Sequence, residues 1–356
     1  MNLKARIERA LAHAVLRLPR ALQRPLAGAP IRLQGRELDL QTQLLLKLMQ
    51  LSGARPWPER PLPQTRRQFE TEAGLLAPTG IALAEVRDLC LEGPAAPIPA
   101  RLYRPKGLPP AAPCLVFYHG GGFTLGSIRS HDLPCRWLAA VTPCVVVSID
   151  YRLGPEHAFP AAVDDALAGF REVRRRAAEL GLDPARIAVG GDSAGGNLAA
   201  ITATRFDQRF YPPLDAADQL SPRPDFAGLV YPVISLQPPY DGTRSRRELG
   251  TQGDAVQAYS AELHVSGATP PTFLAHAADD PIAAVGQSLV MFGALRAKSV
   301  PAELHVFENG GHGWGLGQPG SLVSAWPRLF AAWARSHGFM GGAAPPQAAP
   351  HQRDDD

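Results

Sequence analysis

The chain has 356 residues, enough to bury a large core either as one large domain or as a domain with a cap. With 45% hydrophobic and 19% charged residues, its composition is that of a globular protein. The 36 lysines and arginines nearly balance the 33 aspartates and glutamates, giving a net charge of only +3. Since no basic cluster is interleaved with aromatic residues, charge offers no support for nucleic acid binding.

Cysteine usage and hydropathy favour a reduced, cytoplasmic protein. The spacing of Cys90, Cys114, Cys135 and Cys144 fits neither a disulfide framework nor a zinc site, so buried, reduced thiols are expected. No segment approaches the roughly 20 apolar residues of a membrane span. Charged residues between positions 6 and 17 interrupt any apolar run near the N-terminus, which argues against a signal peptide.

Residues 1 to about 80 are predicted to be helical and carry no catalytic motif. Apolar residues recur at helical spacing over Ile7–Leu18 and Leu38–Leu51, and a third helix is expected around Phe69–Leu76. Pro19 and Pro25 should break the basic first helix early, which argues against its lying on a membrane surface. These helices either pack onto the main body or cover a pocket as a cap.

From about Ala82, strands alternate with helices. This pattern predicts a mostly parallel sheet of eight strands, covered by helices on both faces. Residues 207–225 and 237–253 are polar and proline-rich, and are expected to lie above the sheet. The predicted strands are Val86–Leu91, Pro99–Tyr103, Cys114–Tyr118, Cys144–Ile149, the run from Ile187, Phe226–Tyr231, Thr272–His276 and Ala302–Phe307; the helices are Pro160–Leu180, one from Ala194, Ala283–Lys298 and Ser324–His337.

The stretch Ile187–Asn197 carries the clearest chemical motif. An apolar, β-branched run leads into the sequence GDSAG, and a helical pattern follows. A G-x-S-x-G motif between a strand and a helix is typical of a nucleophile elbow, which exposes Ser193 at the top of a sheet. Glycines flank the serine because a Cβ there would collide with the neighbouring backbone. A Gly/Ser-rich surface loop is the alternative, but it does not account for the strand and helix on either side.

A second glycine-rich motif, HGGGF at 119–123, directly follows a predicted strand. Three consecutive glycines leave backbone N–H groups uncovered, as an oxyanion hole requires when negative charge develops on a carbonyl oxygen. The HGGG type contributes donors of this kind beside the N–H of the residue after the nucleophile, which here is Ala194.

An acid and a base should follow the serine in the order Ser, Asp or Glu, His. Asp279 and Asp280 lie just past one predicted strand, and His312 lies just past the next, in a glycine-rich loop. The position of His312 therefore predicts the general base. Spacing alone leaves both aspartates open as its partner.

Three motifs, HGGGF at 119–123, YRLGPEHAFPAA at 151–162 and GDSAGGN at 191–197, resemble the bacterial hormone-sensitive-lipase branch of the α/β-hydrolases. From roughly Thr202 onward the chain is more similar to acetyl-xylan-esterase-like α/β-hydrolases, as in HAADDP at 276–281 and FENGGHG at 307–313. The resemblance implies an α/β-hydrolase fold without metal or cofactor. Its expected organisation is an N-terminal helical cap over 1–80, a catalytic domain over 81–340 and a disordered tail over 341–356.

The resemblance also implies the role of each site residue. The expected nucleophile is Ser193, completed by Asp280 and His312, with an oxyanion hole formed by the N–H groups of Gly121, Gly122 and Ala194. Asp280 is preferred to Asp279 because it directly precedes Pro281, at the position that both relatives use for the carboxylate. The predicted function is a serine carboxylesterase that hydrolyses short-chain acyl esters through an acyl-enzyme. Its partner is a small-molecule ester, with neither nucleic acid nor membrane involved.

Two alternatives remain. The second-half resemblance favours deacetylation of acetylated sugars or xylo-oligosaccharides. A protein of another class, a non-catalytic α/β-hydrolase fold that serves as a binding module, would normally lack the serine or the histidine, and both are present. The natural substrate, acyl chain length, alcohol moiety, stereopreference and a homodimeric state stay open.

Overall fold

A computed structural model describes residues 11, 14–16, 18–33, 36–38, 40–51, 60–76, 81–208, 211–212, 219–242, 246, 253–317 and 320–340. The chain divides into two compact units, Met1–Thr79 and Gly80–Asp356. The predicted tail over 341–356 and most of the predicted first helix lie outside the described residues. Of the helices in these ranges, none combines the length and the apolar character needed to cross a bilayer.

The first unit contains helices α1 (Arg20–Ala27), α2 (Leu40–Leu51) and α3 (Leu62–Leu76), and a short antiparallel pair, β1 (Arg32–Leu33) and β2 (Arg36–Glu37). Buried Gln43 of α2 fixes the segment after α1: its side-chain amide donates to the carbonyl of Ala29 at 2.7 Å and accepts from Ile31 N–H at 3.0 Å. The prediction that Pro25 breaks the helix is wrong, because α1 passes through it. The missing N–H removes only one backbone hydrogen bond.

The second unit is built on an eight-stranded sheet with the order β10-β9-β8-β7-β5-β6-β4-β3. Strands β3 and β4 are antiparallel neighbours, β4 is antiparallel to β6, and every other pairing is parallel. The predicted mostly parallel sheet of eight strands is therefore confirmed. Its strands are β3 (Glu85–Leu91), β4 (Ile98–Arg104), β5 (Ala112–Tyr118), β6 (Val145–Ile149), β7 (Leu182–Asp192), β8 (Phe226–Val230), β9 (Thr272–Ala277) and β10 (Ala302–Phe307).

Helices cover both faces of this sheet. On one face pack α5 (Ala161–Arg175), α6 (Ala194–Thr204) and α8 (Gly286–Ala297), and on the other α4 (Asp132–Val141) and α9 (Trp326–Ser336). A short helix, α7 (Asp254–Ala258), follows the stretch over 237–253. Every residue of β5 is buried, and alternate side chains enter the two cores. The continuous apolar run of β5 follows from this burial on both faces.

Helix α4 is absent from the predicted elements. Its sequence, DLPCRWLAAV, carries Pro134 near the start, which weakens the helical pattern. A proline in the first turn costs little, because the first N–H groups of a helix have no intrahelical acceptor. Burial of Cys135, Leu138 and Ala139 against the sheet stabilises the helix instead.

The expectation of buried, reduced cysteines holds for three of the four thiols. Cys114, Cys135 and Cys144 are free and buried, whereas Cys90 is free but exposed. The prediction is wrong for Cys90 because β3 is the edge strand of the sheet, and most of its residues contact solvent.

Candidate active site

Five neighbouring parallel strands end at one edge of the sheet, and each is followed by a loop that carries polar groups. The order β10-β9-β8-β7-β5 places the segments after these strands side by side. In the same spatial order these segments contain His312, Asp280, Tyr231, Ser193 and His119. Carboxyl ends of strands in open α/β sheets are where ligand sites form, so this edge is the candidate site.

The turn at Ser193 is a strained one. Its backbone has φ 54° and ψ −115°, and α6 begins at the next residue. The Ser193 N–H donates to Val230 O at 3.0 Å, and its carbonyl accepts from Asn197 and Val233 at 3.1 and 3.2 Å. A Cβ on Gly195 would overlap the carbonyl oxygen of Tyr118. The elbow is therefore packed directly against the end of β5, and only glycine fits there.

The structure brings together the three residues that the sequence nominates for the chemistry. Ser193 Oγ lies 2.8 Å from His312 Nε2, and His312 Nδ1 lies 2.6 Å from Asp280 Oδ2. The side chain of Asp280 is fully buried, and that of His312 is 14% exposed. Because Nδ1 faces a carboxylate, the tautomer protonated at Nδ1 is favoured. Nε2 can then accept a hydrogen bond from the serine hydroxyl.

Asp280 is held by its own turn as well as by His312. Its Oδ1 accepts the backbone N–H groups of Ile282 and Ala283 at 2.8 and 2.9 Å. Burial raises the pKa of this carboxyl group, but the N–H groups of His276, His312 and Ile282 outweigh burial and lower the pKa to about 2. Asp280 is therefore a carboxylate at neutral pH.

Asp279, the neighbour of Asp280 in the same turn, binds the backbone of the loop that carries His312. Its Oδ1 accepts the N–H groups of Gly310 and Gly311 at 2.8 and 2.7 Å, immediately before His312. One aspartate thus contacts the imidazole, while its neighbour fixes the backbone of the loop that carries it. Sequence spacing alone could not separate these positions, because both residues follow the same strand.

The HGGG loop wraps over the end of β5. The N–H groups of Thr124 and Leu125 donate to Gly121 O at 3.2 and 2.9 Å, closing a tight turn. Gly121 has φ 125°, and a Cβ on it would overlap the Leu125 carbonyl. Gly122 has φ 62° and open space beside its Cα. His119 is fully buried and stacks on Tyr151, whose hydroxyl donates to His119 O at 2.5 Å, so this imidazole supports the loop from behind.

Asp192 connects the site loops, a role absent from the sequence predictions. Its Oδ1 accepts Gly120 N–H at 3.0 Å, and Tyr231 Oη lies 3.4 Å from its Oδ2. The Tyr231 hydroxyl in turn accepts Gly315 N–H at 3.0 Å, and its ring centroid lies 5.1 Å from that of His312. Burial would raise the pKa of Asp192, but the nearby His131 imidazole and the Gly120 N–H hold it below its ordinary value.

Weak signals for these supporting residues existed in the sequence. Asp192 lies inside the GDSAG motif, directly before the nucleophile, and Tyr231 follows a buried strand that ends at the same edge. What the sequence could not supply was their partners, which come from loops 72 to 84 positions away along the chain.

Comparison with known proteins supports an ester hydrolase. Residues 115–316 match the family model described as alpha/beta hydrolase fold. The carboxylic ester hydrolase LipN of Mycobacterium tuberculosis is 34% identical over 315 residues, which cover 81% of this chain and 80% of LipN.

Two solved structures are also similar. An acetyl ester-xyloside bifunctional hydrolase from Caldicellulosiruptor lactoaceticus has a TM-score of 0.63 and 35% identity, covering 69% of this chain and 90% of its own. A Pyrobaculum calidifontis esterase has a TM-score of 0.67 and 31% identity, covering 82% and 98% of the two chains. These matches confirm the predicted fold and the predicted resemblance to ester hydrolases.

The low pKa of Asp280 predicts a pH-dependent contribution to stability. A carboxyl group whose pKa is lowered in the folded state stabilises the fold above its unfolded pKa of roughly 4 and loses this effect as pH falls further. Because the folded pKa is about 2, the loss should occur between roughly pH 4 and pH 2. Denaturant unfolding of the wild type and of Asp280→Asn over this range checks the prediction. The difference in unfolding free energy between the two proteins should become smaller as pH falls. A constant difference would contradict the lowered pKa of Asp280.

Proposed function

The chain belongs to the α/β-hydrolase family, and we propose that it is a serine carboxylesterase that hydrolyses short-chain acyl esters. The observation that carries the proposal is the pair of short contacts joining Ser193 Oγ, His312 and Asp280 at the end of the sheet. A hydroxyl, an imidazole and a buried carboxylate in this order make an activated nucleophile.

The first half of the reaction forms an acyl-enzyme. Ser193 Oγ attacks the ester carbonyl carbon while its proton moves to His312 Nε2. Asp280 holds the imidazole through Nδ1–H and stabilises the imidazolium that forms. When the tetrahedral intermediate collapses, the bond from carbon to the alkoxy oxygen breaks, and His312 gives its proton to the departing alcohol.

Backbone N–H groups stabilise the negative charge on the substrate oxygen in this scheme. The donors are the N–H groups of Gly121, Gly122 and Ala194. The conformations of the two glycines support the assignment, since their positive φ values turn the peptide units of a loop that sits beside the elbow. Hydrogen bonds from the N–H groups of Thr124 and Leu125 to Gly121 O fix the turn that carries the two glycines, so little reorganisation is needed during the reaction.

The second half regenerates the enzyme. A water molecule loses a proton to His312 Nε2 and adds its oxygen to the acyl carbon, and the oxyanion hole again holds the negative charge. When this second tetrahedral intermediate collapses, the bond between the acyl carbon and Ser193 Oγ breaks. Ser193 Oγ takes back the proton from His312, and the carboxylic acid is released. Neither step requires a cofactor.

A short acyl chain is the proposed specificity. The stretches over 207–225 and 237–253 are polar and proline-rich, and their sequences contain no long apolar run that could bind an extended acyl chain. Among the similar structures, the Caldicellulosiruptor lactoaceticus protein is described as an acetyl ester-xyloside bifunctional hydrolase. That description also favours the second candidate function, deacetylation of acetylated sugars or xylo-oligosaccharides, by the same residues.

Removal of the nucleophile or of the base should abolish turnover. Ser193→Ala and His312→Ala should each reduce the rate of p-nitrophenyl acetate hydrolysis to a residual value, about 10³–10⁴-fold above the uncatalysed rate in water. Substrate binding and the oxyanion hole alone provide this residual rate. A folded variant of either kind with near-normal activity would refute the assignment. Absence of turnover in the wild type would instead favour the non-catalytic binding module.

Substitution of the two neighbouring aspartates should separate their roles. Asp280→Asn should lower kcat by about 10⁴-fold, because an amide cannot stabilise the imidazolium or hold its tautomer. Asp279→Asn keeps an oxygen that can accept from Gly310 and Gly311, so a loss below about 10-fold is expected. Steady-state kinetics of both variants measures the ranking, and the opposite order would exchange the two assignments.

Acyl chain length provides the test of specificity. Across p-nitrophenyl esters from acetate to decanoate, kcat/KM should be highest for acetyl to butyryl esters and fall steeply beyond hexanoyl. A preference for decanoyl esters would show that the protein binds long acyl groups and would refute the short-chain proposal. An acetylated xylo-oligosaccharide in the same series, compared with p-nitrophenyl acetate, distinguishes the two candidate functions.

A further inference from the structure

A second histidine, His276, lies beside the carboxylate of Asp280. It stands near the end of β9, four positions before Asp280, and is completely buried. Its Nδ1 lies 2.7 Å from the hydroxyl of Ser288 in α8, and its Nε2 lies 2.8 Å from the carbonyl oxygen of Ala283. The same Nε2 is 3.3 Å from Asp280 Oδ2.

These contacts determine which ring nitrogen carries the proton. Both groups near Nε2, a backbone carbonyl and a carboxylate, can only accept, so Nε2 must be protonated. Ser288 can donate its hydroxyl proton to Nδ1, which satisfies the other side of the ring. The geometry therefore fits a neutral imidazole that uses its single N–H against the turn carrying Asp280.

The N–H of His276 acts on Asp280 by two routes. First, it donates to the carbonyl oxygen of Ala283, and the N–H of Ala283 in turn donates to Asp280 Oδ1 at 2.9 Å. The imidazole therefore holds the backbone segment that hydrogen-bonds the carboxylate. The electropositive Nε2–H edge also faces Oδ2, the oxygen that binds His312 Nδ1 at 2.6 Å. Oδ2 therefore lies between two imidazoles, one buried and one facing the serine.

We propose that His276 is a positioning residue for Asp280, which holds the acid turn in place and shares the negative charge of Oδ2 with His312. The inference rests on the proposed function, because it concerns the carboxylate that would support the base. It adds a fourth residue, His276, to Ser193, Asp280 and His312. His276 lies within strand β9, whereas the other three residues follow strands.

Loss of this N–H should alter how readily His312 takes up a proton. The groups that face the His312–Asp280 pair are His276 from β9, Asp279 from the acid turn, and Tyr231 after β8, with Asp192 behind Tyr231. Without the His276 N–H, the charge on Oδ2 acts on His312 alone and stabilises its protonated form more strongly. His312 should then be protonated at a higher pH, and a protonated His312 cannot accept the serine proton.

Three variants test the proposal in the full chain. His276→Leu removes the N–H, His276→Gln keeps an N–H donor near the position of Nε2, and Ser288→Ala removes only the bond to Nδ1. For His276→Leu we expect kcat to fall by about 10-fold to 100-fold, as for other small misplacements of catalytic groups, with the acid limb of the kcat/KM profile moved to higher pH by about half a unit. His276→Gln should recover most of both effects, and Ser288→Ala should leave the acid limb at its wild-type position.

A purely structural role predicts a different result, namely lower thermal stability in all three variants with the acid limb unmoved. That outcome, or a folded His276→Leu protein with wild-type kcat and pH profile, overturns the proposal. If His276→Leu still hydrolyses esters and its kcat/KM profile keeps the wild-type acid limb, the inference is rejected while the proposed function stands.

A measurement on the wild-type protein covers the case in which His276→Leu does not fold. Imidazole ¹⁵N NMR, assigned with His276→Gln, should show His276 protonated at Nε2 and unprotonated at Nδ1 across the range in which His312 titrates. Protonation at Nδ1 alone would overturn the proposal, because Nε2 could then donate to neither Ala283 nor Asp280. The NMR titration of His312 does not depend on turnover, so it also separates this inference from a failure of the esterase assignment.

Discussion

The strained backbone of Ser193 is the constraint on which the rest of the site depends. A residue at φ 54° and ψ −115° is stable only when its surroundings leave no alternative. Here β7 must end against the carbonyl of Tyr118, and α6 must begin so close to β5 that residue 195 has no room for a Cβ. Hydrogen bonds from Val233 and Asn197 to the Ser193 carbonyl hold the turn on its other side. The sheet order then brings the neighbouring loops to this fixed hydroxyl.

Hydrogen bonds to two carboxylates, Asp192 and Asp279, make that placement rigid. Asp192 joins the HGGG loop to Tyr231, and Tyr231 joins the loop that follows His312, so the loops beside the serine share one hydrogen-bond network. Asp279 fixes the same histidine loop through two backbone N–H groups. Each bond is modest alone, but a partly buried network in which these groups hydrogen-bond one another resists local rearrangement. Such rigidity matters because preorganised dipoles stabilise charge without reorganising during the reaction.

The sequence predicted the parts of this architecture that depend on local pattern. The alternation of strand-like and helical segments predicted all eight strands of the sheet, and GDSAG between a strand and a helix located Ser193 at its turn. Helix α4 escaped detection because tertiary burial rather than periodicity stabilises it, and the exposure of Cys90 follows from the edge position of β3. The supporting functions of Asp192, Tyr231 and His276 could not be predicted, since each depends on which residue a distant loop places opposite it.

A neutral histidine at position 276 suits the proposed chemistry better than a cation would. During acyl transfer, His312 becomes positively charged, and the negative charge of Asp280 stabilises it. A lysine or arginine beside Oδ2 would hold the carboxylate equally well, but it would cancel the charge on which the imidazolium depends. An N–H on an uncharged ring orients the carboxylate and leaves its net charge intact. The hydroxyl of Ser288, 2.7 Å from Nδ1, offers a proton to the ring in that uncharged form. His276 thus orients the carboxylate without neutralising it: the N–H shares Oδ2 with His312, but the net negative charge beside His312 is retained.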